Sequence, residues 1–272
     1  MAPLGIGTGF YGVGPAMGSD NTAVIEYDPD ALDLTGHRSY VDAGATFQST
    51  FTRSYTLSIW FNLTSYTSPS TSSLAMHTLF GTNDGTGERI SLALNGIDSV
   101  NKIKFIMEGA NDDLVVTNSD EGDDFSDDGW KHIAVTVTQN SGGNTGVIIY
   151  VNGAAVDTTD TGALSEANHS NYANAYNLYI GARNNQNAPE EYFYGLIKDP
   201  ALWSEALTAA NVAKLYNSGV PFDITSDSGD YDNSDTLVAL WRFNVAAGGT
   251  VAQGFGGNDG TIVNATRIDS GL

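Results

Sequence analysis

"GWKHIAVTVT" (residues 129–138) and "GVIIYVNGAAV" (residues 146–156) decide how this chain folds. In the first, Trp130, His132 and Ala134 alternate with Lys131 and Ile133, the period of two that a strand requires. In the second, Asn152-Gly153 separates "IIYV" from "AAV". That dipeptide suits a two-residue type I′ hairpin, whose turn residues both need positive φ. The same stretch raises a functional question, because Trp130, Lys131 and His132 set an aromatic ring, a cation and an imidazole together at a strand start.

Working outward, "YTLSIWF" puts Tyr55, Leu57, Ile59 and Phe61 on one face and Thr56, Ser58 and Trp60 on the other. "RISLALN", "KIKFIME" and "NLYIGAR" follow suit, divided by clusters of Gly, Asn, Asp and Ser. So many short strands imply an all-β protein of two packed antiparallel sheets. The exception is "ALTAANVAKLYNSGVP" (residues 206–221), which reads as one short helix. Thr208 is its N-cap with Asn211 three residues on, Leu207 and Val212 are spaced as a staple, Gly219 suits the left-handed exit and Pro221 stops it. Val212, Leu215 and Tyr216 form the stripe that lays it on the sandwich. The organisation expected is a Gly-rich arm (1–23), a sandwich (24–220), and an acidic linker with closing strands (221–272).

Composition excludes several function classes. Acidic residues outnumber basic ones 32 to 11, a formal charge of −21 in 272 residues, which repels nucleic acid and anionic membranes and suits high salt and divalent cations. Asp exceeds Glu by 24 to 8, as turns and caps would have it. With no Cys, there are no disulfides, no thiol catalysis and no zinc-thiolate sites. "MAPLGIGTGFYGVGP" lacks the basic and apolar regions of a signal peptide, and no apolar run approaches the roughly 20 residues of a membrane helix.

The ordered set "ALDLTGHRSYVDAG", "YTLSIWFN", "GWKHIAVTVT", "IIYVNGAAV", "LYIGAR" and "FYGLIKDPALWSEALTAANVAKLYNSG" resembles a laminin-G-like, concanavalin A-type domain over residues 24–220. The resemblance implies a jelly-roll sandwich. The family's Trp-X-His-hydrophobic-Ala strand is matched by Trp130 to Ala134. Its Gly-X-Ile-Asp-Glu-Val strand is altered: Gly195 and Ile197 fit, but Lys198 replaces Asp and Pro200 replaces Val. Proline cannot donate to a ladder, so that strand should end, bulge or lie at an edge. The tail from Leu237 resembles the segment that normally opens such a domain, and is expected to close the sandwich beside the first strand. Arm, domain, linker and tail together resemble virion structural proteins of tailed marine bacteriophages.

Candidate sites carry competing readings. An indole and an imidazole beside a small Ala are a packing arrangement, and His132 has no Asp or Ser at a triad spacing. Laminarinase-like relatives carry Glu-X-Asp-X-X-Glu on one strand. Here Glu26-Tyr27-Asp28 is followed by Ala31 and Glu121-Gly122-Asp123 by Ser126, while Glu190 and Glu191 would point to opposite faces if extended. No catalytic residue is therefore expected. Asp123, Asp124, Asp127 and Asp128 in "NSDEGDDFSDDGW" read either as a solvated run or as a calcium site, since calcium takes six to eight oxygens. Asp227, Asp230, Asp232 and Asp235 read as linker. Tyr176, Asn184, Asn185 and Tyr192, around the Asn-rich "GARNNQNAPEE", suit a sugar, which stacks on rings and bonds to amides.

These readings converge on a non-enzymatic sandwich on a virion surface, made without a leader. Its role there would be decoration, stabilisation or attachment. The arm would grip other subunits, identical copies included. The alternative is an extracellular lectin-like module for cell-surface glycans, and after that a glycoside hydrolase. Calcium is the one cofactor these readings allow.

Overall fold

The computed structural model describes residues 30–65, 76–95, 102–118, 125, 129–243 and 251–272. Its first strands are β1 (Asp30–Asp33) and β2 (Tyr40–Asp42), followed by a single helical turn, α1 (Gln48–Phe51). Five longer strands come next: β3 (Tyr55–Leu63), β4 (Met76–Asn83), β5 (Arg89–Asn95), β6 (Lys102–Glu108) and β7 (Asp113–Asn118). The opening hairpin of the sequence reading is β8 (Lys131–Thr138), β9 (Gly146–Val151) and β10 (Ala154–Ala155), leading to β11 (Thr158–Gly162). After α2 (Glu166–Ser170) the strands shorten to β12 (Tyr179–Ile180), β13 (Arg183–Asn185) and β14 (Ala188–Glu190). The last elements are β15 (Gly195–Trp203), α3 (Ala209–Tyr216), β16 (Leu237–Arg242), β17 (Val251–Gly254), β18 (Gly260–Val263) and β19 (Thr266–Asp269).

These strands form two antiparallel layers. The helix-side sheet runs β9–β8–β3–β15, and the far edge of β15 pairs first with β1 and then with β16. The second sheet runs β18–β2–β12–β4–β5–β6–β7–β11. Alternation fills the space between them as the sequence predicts. Leu57, Ile59 and Phe61 of β3 and Ile133 and Val135 of β8 meet Leu92 of β5 and Phe105 of β6, all fully buried. Burial of each such side chain favours folding by about 1.5–3 kcal/mol. Asn152 and Gly153 have φ of 49° and 79°, the left-handed pair that a type I′ turn needs, and Val151 faces Ala154 across it.

Among the three outcomes expected at Pro200, the strand bulges. β15 neither ends there nor lies at an edge, because it is paired on both sides. The register against β3 shifts between Lys198 and Ala201, and Asp199 turns left-handed at φ 44°. The extra residue reverses the alternation: Ile197 and Leu202 both point between the sheets, while Ala201 and Trp203 point outward.

That outward face is covered by α3. Thr208 caps it through a full capping box with Asn211, and Val212 and Leu215 are buried against Ala134, Tyr150 and Trp203. The helix is left at Asn217 (φ 46°), two residues before Gly219, which is itself left-handed at φ 89°. Residues 223–235 are more than a linker. Tyr231 is fully buried, donates to the carbonyl of Ile224 (2.8 Å) and accepts from Trp203 Nε1 (3.1 Å). Asn211 ties this loop to the helix start through the Asp230 carbonyl (2.6 Å) and Asp232 (2.9 Å).

The tail belongs to both sheets. β16 pairs with β15 and β17, β17 with β18, β18 with β2, and β19 with β1. Trp241 anchors it, fully buried, edge-on to Phe47 at 5.6 Å and bonded to the Asn258 carbonyl at 2.9 Å. Trp241→Ala should therefore cost about 3–5 kcal/mol in urea unfolding. Phe255→Ala, at a ring 39% exposed in the same tail, should stay within about 0.5 kcal/mol. Equal, small effects would mean that the tail adds no core.

Candidate functional site

The Trp130–Lys131–His132 trio is dispersed by the fold. Trp130 donates to the Ser270 carbonyl at 3.1 Å. His132 turns toward the helix layer, its ring 5.0 Å from Trp60, which in turn stacks on Tyr216 of α3 at 5.8 Å. Strand pairing supplies the serine that local spacing lacks, since Ser58 Oγ lies 2.8 Å from His132 Nε2. This pair is nonetheless packing. Ser58 and His132 are 4% and 1% exposed, His132 Nδ1 has no hydrogen-bond partner, and burial pushes the imidazole down to about 3. A general base needs access, an orienting partner and a pKa near the working pH.

Polar chemistry gathers instead on the outer face of the second sheet. Register sets Asp42, Tyr179, Gly81, Ser91 and Ile106 in one row across β2, β12, β4, β5 and β6. The next row holds Asn83, Arg89 and Glu108. β13 pairs in parallel with the Thr82–Asn83 end of β4, and Gly81 permits its close approach, because a Cβ there would lie 2.9 Å from the Cα of Arg183. The β13–β14 hairpin thus comes down on the sheet and delivers Arg183, Glu190 and Glu191.

These residues form an ion-pair network. Arg183 contacts Glu190 and, through Nε, Glu191 Oε2 at 3.0 Å. Arg89 lies 3.7 Å from Glu191 and 4.0 Å from Glu108. Extended backbone would have split Glu190 from Glu191, but Glu191 is left-handed (φ 51°), so both carboxylates reach one guanidinium. Burial raises the Glu191 carboxyl against the pull of Arg183 and Arg89. Burial and the neighbouring Arg183 charge lower Arg89. Below them Ser91 is fully buried and its hydroxyl has no partner, as is also true of Arg89 Nε. Such unsatisfied groups are rare in strands built only for packing.

Beside the network stands a tyrosine cluster. Tyr40 lies on Tyr179 with ring centres 4.7 Å apart and 6.3 Å from Tyr192. Tyr179 and Tyr192 are each 5% exposed, whereas Tyr40 is half-buried and so the most exposed of the three. Burial raises the Tyr179 phenol, with Tyr40 and Asp42 adding to the effect.

The sequence-predicted sugar ligands are only partly brought together. Tyr192 is here, but as support: its hydroxyl donates to the Pro189 carbonyl at 2.9 Å. Asn184 is fully buried with its amide spent on the Asn177 carbonyl (2.8 Å) and the Asn187 N–H (2.7 Å). Asn185 is half-buried in β13 beside Asn83, and the carbonyl of Tyr176 accepts from Thr82 at 3.1 Å. Both sit at the Thr82–Asn83 end of β4, whereas Tyr192 bridges to Thr78. Tyr40, Arg89, Glu108 and Arg183 are absent from the sequence reading. The signal was Gly81, a lone glycine inside an apolar strand, which marks close backbone approach. Asp123, Asp124, Asp127 and Asp128 lie outside the described residues, as do Glu26, Asp28, Glu121 and Ser126. Among the described residues, no group of three or more His, Asp or Glu is placed to hold a metal ion.

With this geometry the comparisons agree on the fold. Residues 35–213 match the Laminin_G_3 model of the concanavalin A-like lectin/glucanases superfamily, and the chain belongs to that family. A candidate carbohydrate-binding protein from Bacteroides ovatus ATCC 8483 superposes with a TM-score of 0.54 at 17% identity, covering 89% of this chain and 60% of its own. This chain thus spans less than two thirds of that protein. The CBM40 module of the Ruminococcus gnavus IT-sialidase, bound to α2,6-sialyllactose, gives 0.50 at 11% identity over 70% of this chain and 100% of its own. Mouse laminin α1 domains LG4–5 give 0.44 at 12% identity, over 67% and 45%. No curated protein sequence matches the chain.

The buried imidazole makes a pH prediction. His132 titrates at about 3 in the folded protein, against about 6.5 in an unfolded chain. Below about pH 6.5 the unfolded chain takes up a proton that the folded one refuses, so stability is lost as pH falls toward 3. Between pH 7 and 5 this side chain should remove about 2 kcal/mol. His132→Asn, measured by urea unfolding at both values, should lose that share of the pH dependence. An unchanged slope would mean that the folded imidazole ionises freely.

Proposed function

We propose that the chain is a carbohydrate-binding, lectin-like module whose site is the outer face of the second sheet around Tyr40. The observation that carries this is Tyr40, packed at a 34° tilt against Tyr179 beside paired guanidinium and carboxylate groups. A sugar presents apolar C–H faces and a rim of hydroxyls. The ring takes the first, and the ion pairs donate to and accept from the second. Family membership supports the reading, as does the similarity in fold to the Bacteroides and Ruminococcus proteins named above, whose descriptions concern carbohydrate.

Binding rather than turnover is what these side chains favour. Each carboxylate has a guanidinium beside it, so none stands free to attack or to pass a proton to a glycosidic oxygen. The virion-assembly reading draws on the arm (residues 1–23, outside the described residues) together with the domain, linker and tail, and is compatible with a glycan-binding site on the same chain as an attachment device.

An array of immobilised oligosaccharides, probed with wild type and Tyr40→Ala, tests the proposal. Wild type should bind a subset, and Tyr40→Ala should bind that subset about tenfold less, or about 1.4 kcal/mol. Tyr40→Phe should retain most of it, because the ring face remains. Cleavage of any bound oligosaccharide, abolished by Glu191→Gln, would turn the binding site into an active site.

A further inference from the structure

We infer that this site takes neutral sugars and discriminates against acidic ones, a specificity that rests on the carbohydrate-binding reading above. Two guanidinium groups, Arg89 and Arg183, face three carboxylates, Glu108, Glu190 and Glu191, so the network holds one excess negative charge. Both cations have carboxylates beside them, and Arg89 Nε and Nη2 keep N–H donors with no hydrogen-bond partner. Arg183 has a carboxylate at two of its nitrogens, and Arg89 has one near each terminal nitrogen.

A sugar carboxylate or sulfate at either guanidinium would sit beside the glutamates already there and be repelled by them. Those glutamates are held close: the Glu191 side chain is 20% exposed and Glu108 29%, while Glu190, at 39%, is the one with room to turn toward solvent. A neutral hydroxyl has no such cost. It accepts from a guanidinium N–H and donates to a carboxylate oxygen, adding to an ion pair instead of breaking it. The formal charge of −21 over the whole chain repels an acidic glycan before contact.

The test uses the full chain on matched sugars: lactose and other neutral oligosaccharides, each with its sialylated, uronate-terminated or sulfated counterpart. Binding is read at about 0.05 M and about 0.5 M NaCl, which bracket strong and weak screening. Neutral members should bind at least about tenfold tighter than their acidic counterparts at low salt, and the gap should narrow at high salt. Glu190→Gln, which removes the excess charge, should narrow it at low salt too. Acidic members binding as well as neutral ones would overturn the inference and leave the carbohydrate reading standing. No binding by any member would overturn the carbohydrate reading and the inference with it. Neutral binding unmoved by Tyr40→Ala would place the sugar elsewhere and overturn the charge argument.

Discussion

One strand, β15, holds the two layers of packing in relation to each other, and it does so through a bulge. A regular strand serves one face with odd residues and the other with even ones. Between Lys198 and Ala201 the count slips, so Ile197 and Leu202 both fill the space between the sheets. The slip also frees Ala201 and Trp203 for the outer cluster beneath α3. Trp203 meets Tyr231 there, and through it the loop of residues 223–235 is fixed. The same strand pairs with β3 on one side and with β1 and β16 on the other. Without the bulge either the inner core or the helix layer would lose its residues from β15.

Much of this was legible because it is local. Strand alternation in residues 55–61 and 131–138, the Asn152-Gly153 turn, and the Thr208–Asn211 capping box are each set by residues a few positions apart. Pro200 announced an irregularity, and which irregularity it was depended on partners more than 100 residues away in sequence. Two single-turn helices, α1 and α2, went unread because one turn has no period to detect. The acidic run 223–235 looked like a linker because its anchors, Ile224 and Tyr231, are few among many aspartates.

The candidate site was legible only in part, and for a physical reason. Arg89, Glu108, Arg183 and Glu191 come from β5, β6, β13 and the turn after β14, so no window of sequence contains them all. Tyr192 was found from its aromatic neighbours, yet its role is to support Tyr40, which lies over 150 residues earlier. Asn184, chosen for its amide, spends that amide on shaping the β13–β14 turn. Gly81 is the local clue to this assembly, since a side chain there would meet the backbone of Arg183.

The central claim is that this outer face, rather than the helix layer or the loops, meets the ligand. Backbone amide shifts followed by NMR during titration with a bound oligosaccharide test it most directly. The account predicts the largest shifts at Tyr40, Ser91, Arg183 and Glu190, on β2, β5 and the β13–β14 hairpin. Largest shifts on α3 and residues 223–235, with the Tyr40 region unmoved, would contradict it.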